Sequence, residues 1–375
     1  MSQKFRITLD TTITLVQQFQ LALATPVAQG SGQVSGKEAL PLLSASSTAL
    51  KSQVTKLSLL TITSPFTHSA VTSVLSEINE SVLPSLVTAA LLVTPIDHTQ
   101  AFQTEVLVLT KSTVRELASL LKEVQSVADR KDETTDSPKR TQELSQQEKD
   151  VVTVAAGRVW EACDVLVDFA AKGVIGFVIR RVEEWRDLVR DAVEEIEEWD
   201  PDEEGDDFFD DLLSDGGQSS TGKNGDEDDE GDDDGESSAV LHENKKNAIR
   251  ILKPVAQIYP AIVTNRLKTA PELSPPLVSQ LENLMLNLRS IPENVDEVAG
   301  ALYEANFTKS NHYLGAIKEH AVKAIKTVAL PWTSPESPSP AQESEDKFAT
   351  WSKTWLKVVG EVSKTIVSED AKGGN

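Results

Sequence analysis

An all-α protein, built as two helical bundles separated by an acidic linker, is the fold class predicted by this 375-residue chain. Three observations carry the prediction. Apolar residues recur at alternating three- and four-residue spacings along most of the length, which puts them on one face of a helix and which no strand can produce. Proline, glycine and serine cluster between those runs, where helices end. One 40-residue stretch, Glu197–Glu236, holds 20 Asp or Glu against a single Lys, so most of the formal charge of −23 sits there and the rest of the chain is nearly balanced.

The first segment is the least regular. Phe5, Ile7, Leu9, Ile13 and Leu15 alternate with polar residues in a β-branched context, yet Val16, Phe19 and Leu23 continue at helical spacing, and the segment is assigned to a helix. Leu40, Leu43, Ser47, Leu50, Val54 and Leu57 form a single stripe. Phe102, Val106, Leu109, Thr113, Leu117, Leu120, Val124 and Val127 repeat it after a capping-type Asp97. Val152, Ala155, Ala156, Val159, Cys163, Leu166 and Ala170 make the next, and Val174, Phe177, Val178, Val182, Trp185, Leu188, Val189, Val193 and Ile196 the clearest of all.

Beyond the acidic stretch, Leu241, Ala248, Ile251, Val255, Ile258 and Ile262 form one stripe, and Leu277, Leu281, Leu284, Leu288 and Ile291 another. A short helix around Val295–Asn306 follows. Tyr313, Ile317, Ala321, Ala324 and Val328 mark a further helix, and Phe348, Trp351, Trp355, Val358, Val362 and Ile366 the last. A fully buried large side chain contributes roughly 1.5–3 kcal/mol, so packing rather than intrinsic propensity should hold these helices. Pro84 and Pro254 fall inside helical patterns, where a missing amide donor is expected to kink or break the helix.

The resulting organisation is an N-terminal bundle over residues 1–199, a disordered linker over 200–238 and a C-terminal bundle over 239–369. The linker is too polar and too charged to offset its ordering entropy by burial. Phe208, Phe209, Leu212 and Leu213 interrupt it as an acidic and hydrophobic cluster, read either as a docking motif that folds on binding or as a loose contact with its own bundle.

Charge and composition narrow the partners. The negative field offers no basic patch to a phosphate backbone, so no direct nucleic-acid binding is expected, whereas basic protein surfaces are attracted. The longest apolar run, Leu86–Pro95, is far shorter than the roughly 20 residues of a spanning helix, and Met1–Asp10 lacks a signal peptide's apolar core, so no membrane association is expected. The single cysteine excludes an internal disulfide. Cytoplasm and nucleus are the expected locations.

Chemistry is harder to find. Gly217–Asn224 imitates a phosphate loop, but Asn224 stands where the magnesium-binding hydroxyl belongs and no strand precedes it. The run from Asp226 begins like a calcium loop and ends at Ser237, where a bidentate glutamate is required. His68, His98, His242, His312 and His320 include no pair at i, i+4 spacing. Cys163 lies on an apolar stripe, as a small buried hydrophobe would. Arg180, Arg181, Glu183, Glu184 and Asp187 read as the solvated face of a helix. The chain is therefore expected to be no enzyme, with no cofactor, no metal site and no catalytic residue.

Regulatory motifs are more promising. Ser137-Pro138-Lys139-Arg140 has the Ser-Pro-x-basic form that cyclin-dependent kinases favour, making Ser137 a candidate phosphosite, and Ser334, Ser337 and Ser339 also precede prolines. Leu277, Leu281, Leu284 and Leu286 satisfy a nuclear-export spacing, but largely the same residues form a core stripe, which is the reading adopted.

The order of helices, the acidic linker and three strings together resemble the cyclin-D-binding protein family, also called the GCIP family. The strings are Val159-Trp160-Glu161-Ala162-Cys163, the helix from Val182 to Asp200-Pro201, and Ile291-Pro292-Glu293-Asn294-Val295 onward to Tyr303. The resemblance implies two talin-like or vinculin-like bundles without enzymatic activity. It further implies binding to D-type cyclins and adaptor proteins, restraint of cyclin-dependent kinase action on the retinoblastoma protein, and movement between cytoplasm and nucleus. By helical spacing Trp160 and Cys163 read as packing residues. The function expected is thus a protein-binding regulator or adaptor in cell-cycle or transcription control. A cytoskeletal scaffold bundle and an acidic histone-binding chaperone are the alternatives.

Overall fold

The computed structural model describes residues 3–24, 38–133, 144–202, 233–332 and 346–370, with backbone alone at 131–133, 233–237 and 365–370. Among the described residues there is no strand, and the regular elements are helices. They are α1 (Gln3–Ala24), α2 (Ala39–Ile62), α3 (His68–Glu77), α4 (Leu83–Leu92), α5 (Gln100–Glu133), α6 (Gln146–Glu198), α7 (Asp233–Ala256), α8 (Ile258–Asn265), α9 (Pro275–Tyr303), α10 (Phe307–Val328) and α11 (Lys347–Asp370). Two compact units result. One comprises residues 1–177 with 273–282, the other 178–272 with 283–375.

In the first unit α1 packs on α5 and α3, and α2 on α4 and α3. The alternating N-terminal segment is helical because Phe5, Leu9, Thr12, Val16 and Leu23 all reach this core, while Ile7 points to solvent. Its threonines adapt by donating back to the preceding turn, as Thr12 does to Thr8 O at 2.8 Å. Ser47 and Thr61 do the same in the buried stripe of α2, which is how hydroxyls occupy core positions without orphaned donors.

Phe102 anchors the start of α5. Its ring stacks on Phe169 at 4.7 Å between centroids and meets Phe177 edge-on at 5.6 Å, and the His98 imidazole stacks on the same Phe102 ring at 5.6 Å. Burial holds the His98 imidazole below the usual histidine range. At the other end of the α5–α6 hairpin, Ser145 and Glu148 form a reciprocal capping box, and Arg130 pairs with the same glutamate.

Two sequence stripes, Val152–Ala170 and Val174–Ile196, run into one another in α6. The join is Gly173, whose φ of 61° and ψ of −166° interrupt the helix in a region only glycine occupies readily. Before Pro84 the expected kink takes the form of a five-residue π turn, Ile78–Val82, in which Leu83 N–H reaches back to Ile78 O. Pro254 does end a helix: α7 stops two residues later, at Ala256.

Pro292 behaves differently. The separate helix expected around Val295–Asn306 is instead the continuation of α9, which runs unbroken through the proline to Tyr303. A helical residue at 292 would have donated its N–H to Leu288 O. That carbonyl instead accepts the buried Tyr259 phenol at 2.9 Å, so the missing donor is replaced from α8.

The second unit is tied by two further donors of this kind. Trp355 in α11 donates its indole N–H to Pro254 O at 2.9 Å. Arg266, only 3% exposed, donates to Val328 O at 2.7 Å and Ala329 O at 3.0 Å, at the C-terminal end of α10. The same guanidinium grips Asp346 through bonds of 2.6 and 3.1 Å and lies 4.4 Å from the Phe348 ring centroid. Asp346 in turn accepts from Ala349 N–H at 2.7 Å, capping α11. The last helix therefore packs on α7 and α10.

Three sequence stripes shift in detail. In α10 Leu314 is buried and Tyr313 only half-buried, because the core row is Leu314, Ile317, Ala321, Ala324 and Val328. In α11 the buried row after Trp355 is Val359 and Ser363, leaving Val358 exposed. Leu188, expected in the stripe of α6, is 57% exposed.

Two outcomes follow. Tyr259→Phe is expected to cost about 1–3 kcal/mol by orphaning Leu288 O. The cost should largely vanish in a Pro292→Ala background, where the helix supplies its own donor; a double-mutant cycle in urea unfolding reads the coupling. Arg266→Ala should cost about 2–4 kcal/mol, chiefly by leaving Val328 O and Ala329 O without their donor. The Arg266 hydrogen bonds hold the Asp346 carboxyl below the usual carboxylate range. The linked stability is thus fully present above an ordinary aspartate pKa of about 3.9 and is lost as pH falls through the lower native value. Unfolding curves of wild type and Asp346→Asn should accordingly differ at neutral pH and converge in acid.

Candidate protein-interaction surfaces

The residues singled out for chemistry fall into the scaffold. Cys163 is fully buried in the core of α6, and burial pushes its thiol up to about 12, with the Asp164 carboxylate adding to the shift. There it packs as a small hydrophobe on the inner stripe of the helix. Trp160, beside it in sequence, is half-buried on the flank of the same helix. Arg180 and Arg181 pair with Glu184 at 3.3 and 3.0 Å, and Arg186 with Asp187 at 2.9 Å, all on the solvated side of α6. Leu277, Leu281 and Leu284 are buried and Leu286 exposed, so the export-like spacing is mostly core.

The histidines are dispersed. His98 is buried, and His320 Nδ1 lies 3.1 Å from Asn287 Oδ1. His242 is exposed, 3.1 Å from Ser238 O and 3.7 Å from the Asp202 carboxylate. With Asp200 it completes a trio of ligand-type atoms within 4.8 Å of one another. Local spacing does not reveal that trio, because its members flank the acidic stretch in sequence. All three groups are exposed to solvent.

Ser137, the cluster of Phe208, Phe209, Leu212 and Leu213, and the loops that begin at Gly217 and Asp226 lie outside the described residues, as does most of the acidic linker.

What the described residues do offer is helix surface. In the first unit, α5 contributes Leu109, Ser112 and Glu116, and α6 contributes Arg158, Glu161, Ala162 and Val165, to a shallow groove of about 390 Å³. Leu109, expected in the core stripe of α5, is half-buried because it forms part of this floor. Exposed valines extend the apolar strip: Val108 on α5, and Val151 and Val154 on α6. The rim is charged, with Glu116 paired to Arg115 at 3.3 Å.

The second unit presents a more basic face. Lys245, Lys246 and Arg250 line one side of α7 with His242, around a depression of about 590 Å³. Lys245 is committed to structure there, donating to Glu197 O at 2.9 Å near the end of α6 and to Trp199 O just beyond it. Tyr303 donates to Glu195 at 3.0 Å and packs edge-on against Trp199. Burial and that glutamate push its phenol up to about 12. Nearby, burial together with Glu195 and Glu297 raises the Asp296 carboxyl above the usual range. No helix of the described residues is long and apolar enough to cross a membrane.

Residues 42–202 match the family model described as Grap2 and cyclin-D-interacting, N-terminal. The match runs from within α2 to just past the end of α6. No curated protein matches the chain.

A thiol reagent offers a direct check on the scaffold role of Cys163. Its labelling rate should rise with reagent concentration and level off at the rate of local or global unfolding once labelling outpaces reclosing, with Cys163→Ser folding normally but less stably.

Proposed function

From the similarity of residues 42–202 to the family model described as Grap2 and cyclin-D-interacting, N-terminal, we propose that this chain is a non-enzymatic protein-binding regulator whose partner is a D-type cyclin or a protein of that class. The observation that supports the reading most is the family match itself. Helix faces are the working surface in this reading, and control of cell-cycle kinase activity or transcription, in cytoplasm and nucleus, is the role.

Two physical features make the reading reasonable. The side chains that would serve a reaction, Cys163 and His98 among them, are buried, and Cys163 is held in its neutral form. Large apolar residues stand exposed within the matched segment, including Leu59, Ile96 and Leu188 at 55–60% exposure. The acidic stretch Glu197–Glu236 adds attraction for basic surfaces, which speeds encounter rather than setting the final contact.

The test is direct binding to a purified D-type cyclin by calorimetry. Leu59→Asp, Ile96→Asp and Leu188→Asp, each with unchanged circular dichroism, should include at least one that weakens binding tenfold or more. Deleting residues 203–232 should lower the association rate and its salt dependence while leaving most of the affinity. Absence of binding by the wild-type chain would overturn the cyclin assignment, and loss of binding only in variants that unfold would overturn the surface assignment.

A further inference from the structure

The outward side of α6 carries a second periodic row besides the one that enters the core. Val151, Val154, Arg158, Glu161 and Val165 follow one another at spacings of three, four, three and four residues, the a/d pattern of a helix seam. All five are exposed, the valines by 44–56%. In a globular helix that face is ordinarily polar, so β-branched residues there call for a partner.

Four of its five positions, Val154 to Val165, are also self-complementary, while Val151 falls opposite Asp168 at the edge. In antiparallel pairing, a-type positions face d-type positions. Turned end for end about the point between Val159 and Trp160, the row places Val154 opposite Val165 and Arg158 opposite Glu161. A two-fold axis then repeats both layers, giving two valine layers that flank two ion-pair layers.

The charges are available for such pairing. Among the described residues neither Arg158 nor Glu161 forms an ion pair, although they stand three residues apart on one face. The neighbouring candidates are engaged elsewhere: Glu116 with Arg115 at 3.3 Å, Asp164 with Lys51 at 2.6 Å, and Lys172 with Asp168 at 2.7 Å. The last of these pairs also ends the apolar row. Beside it, Leu109 and Ala162 leave the shallow groove into which side chains of a second helix would fit.

We propose that the chain self-associates through this face, α6 against α6 of a second copy, antiparallel and centred between Arg158 and Glu161. The paired layers span about 17 Å at 1.5 Å per residue, which places the contact at the small end of interfaces and makes the dimer a weak, concentration-dependent one. The proposal stands on the charge and apolar pattern of α6 and is independent of which other protein the chain binds.

Sedimentation of the full chain over a concentration series tests it, with circular dichroism to confirm that each variant is folded. The wild-type chain should show a monomer–dimer equilibrium. Arg158→Glu puts like charges in both central layers, and so does Glu161→Arg; each alone should weaken association at least about tenfold, roughly 1.4 kcal/mol. Mixed in equal amounts, the two variants should associate with each other, because every introduced charge then meets its opposite on the other chain. Only an interface built on this pairing predicts that rescue. A wild-type chain that is monomeric at every concentration would overturn the proposal, as would single variants that dimerise like the wild type or a mixture that associates no better than its components.

Discussion

A main-chain carbonyl freed inside a packed helical protein must find a donor, and the second unit is organised around meeting that demand. Helices are self-sufficient in backbone hydrogen bonds only while they are continuous; every proline and every end releases acceptors. Tyr259 answers Leu288 O behind Pro292, Trp355 answers Pro254 O where α7 fails, and Arg266 answers Val328 O and Ala329 O where α10 stops. Each of these donors comes from outside the helix whose carbonyl it meets, so each bond is also a tertiary tie. An unsatisfied buried acceptor costs about as much as a sizeable share of a domain's net stability. Side-chain choice at 259, 266 and 355 is accordingly dictated by breaks elsewhere in the chain.

Arg266 extends this logic from carbonyls to charge. A guanidinium removed from water needs all of its donors engaged, and here two carbonyls, the Asn265 carbonyl and the two oxygens of Asp346 engage them, with Phe348 against its face. Because Asp346 also caps α11, the same carboxylate balances a buried charge and starts a helix. The position of the last helix thus depends on a residue about 80 positions earlier, which its own sequence does not disclose.

That distance explains what the sequence revealed and what it did not. Helix existence was legible because burial leaves a mark at every third or fourth residue, and the rows through Leu43–Leu57, Val152–Ala170 and Leu277–Ile291 lie in the core as read. Continuity was not legible, since Pro292 reads as a boundary until Tyr259, 33 residues away, is seen to donate behind it. Exact register failed where two rows compete: Val358 and Val359 are equivalent by hydropathy, and only the neighbours of Trp355 decide that Val359 turns inward. The outer row of α6 is not legible in the sequence for a related reason. With Arg158 and Glu161 at its centre it does not look apolar, and the stronger inner row through Val159 and Cys163 already accounts for the helix.

Those two central charges are what allows an exposed seam to exist at all. A row of five valines along α6 would be indistinguishable from its core face, inviting the helix to rotate within its bundle or to associate without direction. An arginine and a glutamate in the middle remove both alternatives, because burying either unpaired inside the unit would cost several kcal/mol. They leave the inner row as the one face the bundle can accept, and they set the register of whatever the outer row meets. The polar layer thus has one effect within the folded unit and another at its surface, and both arise from the same penalty on an unpaired buried charge.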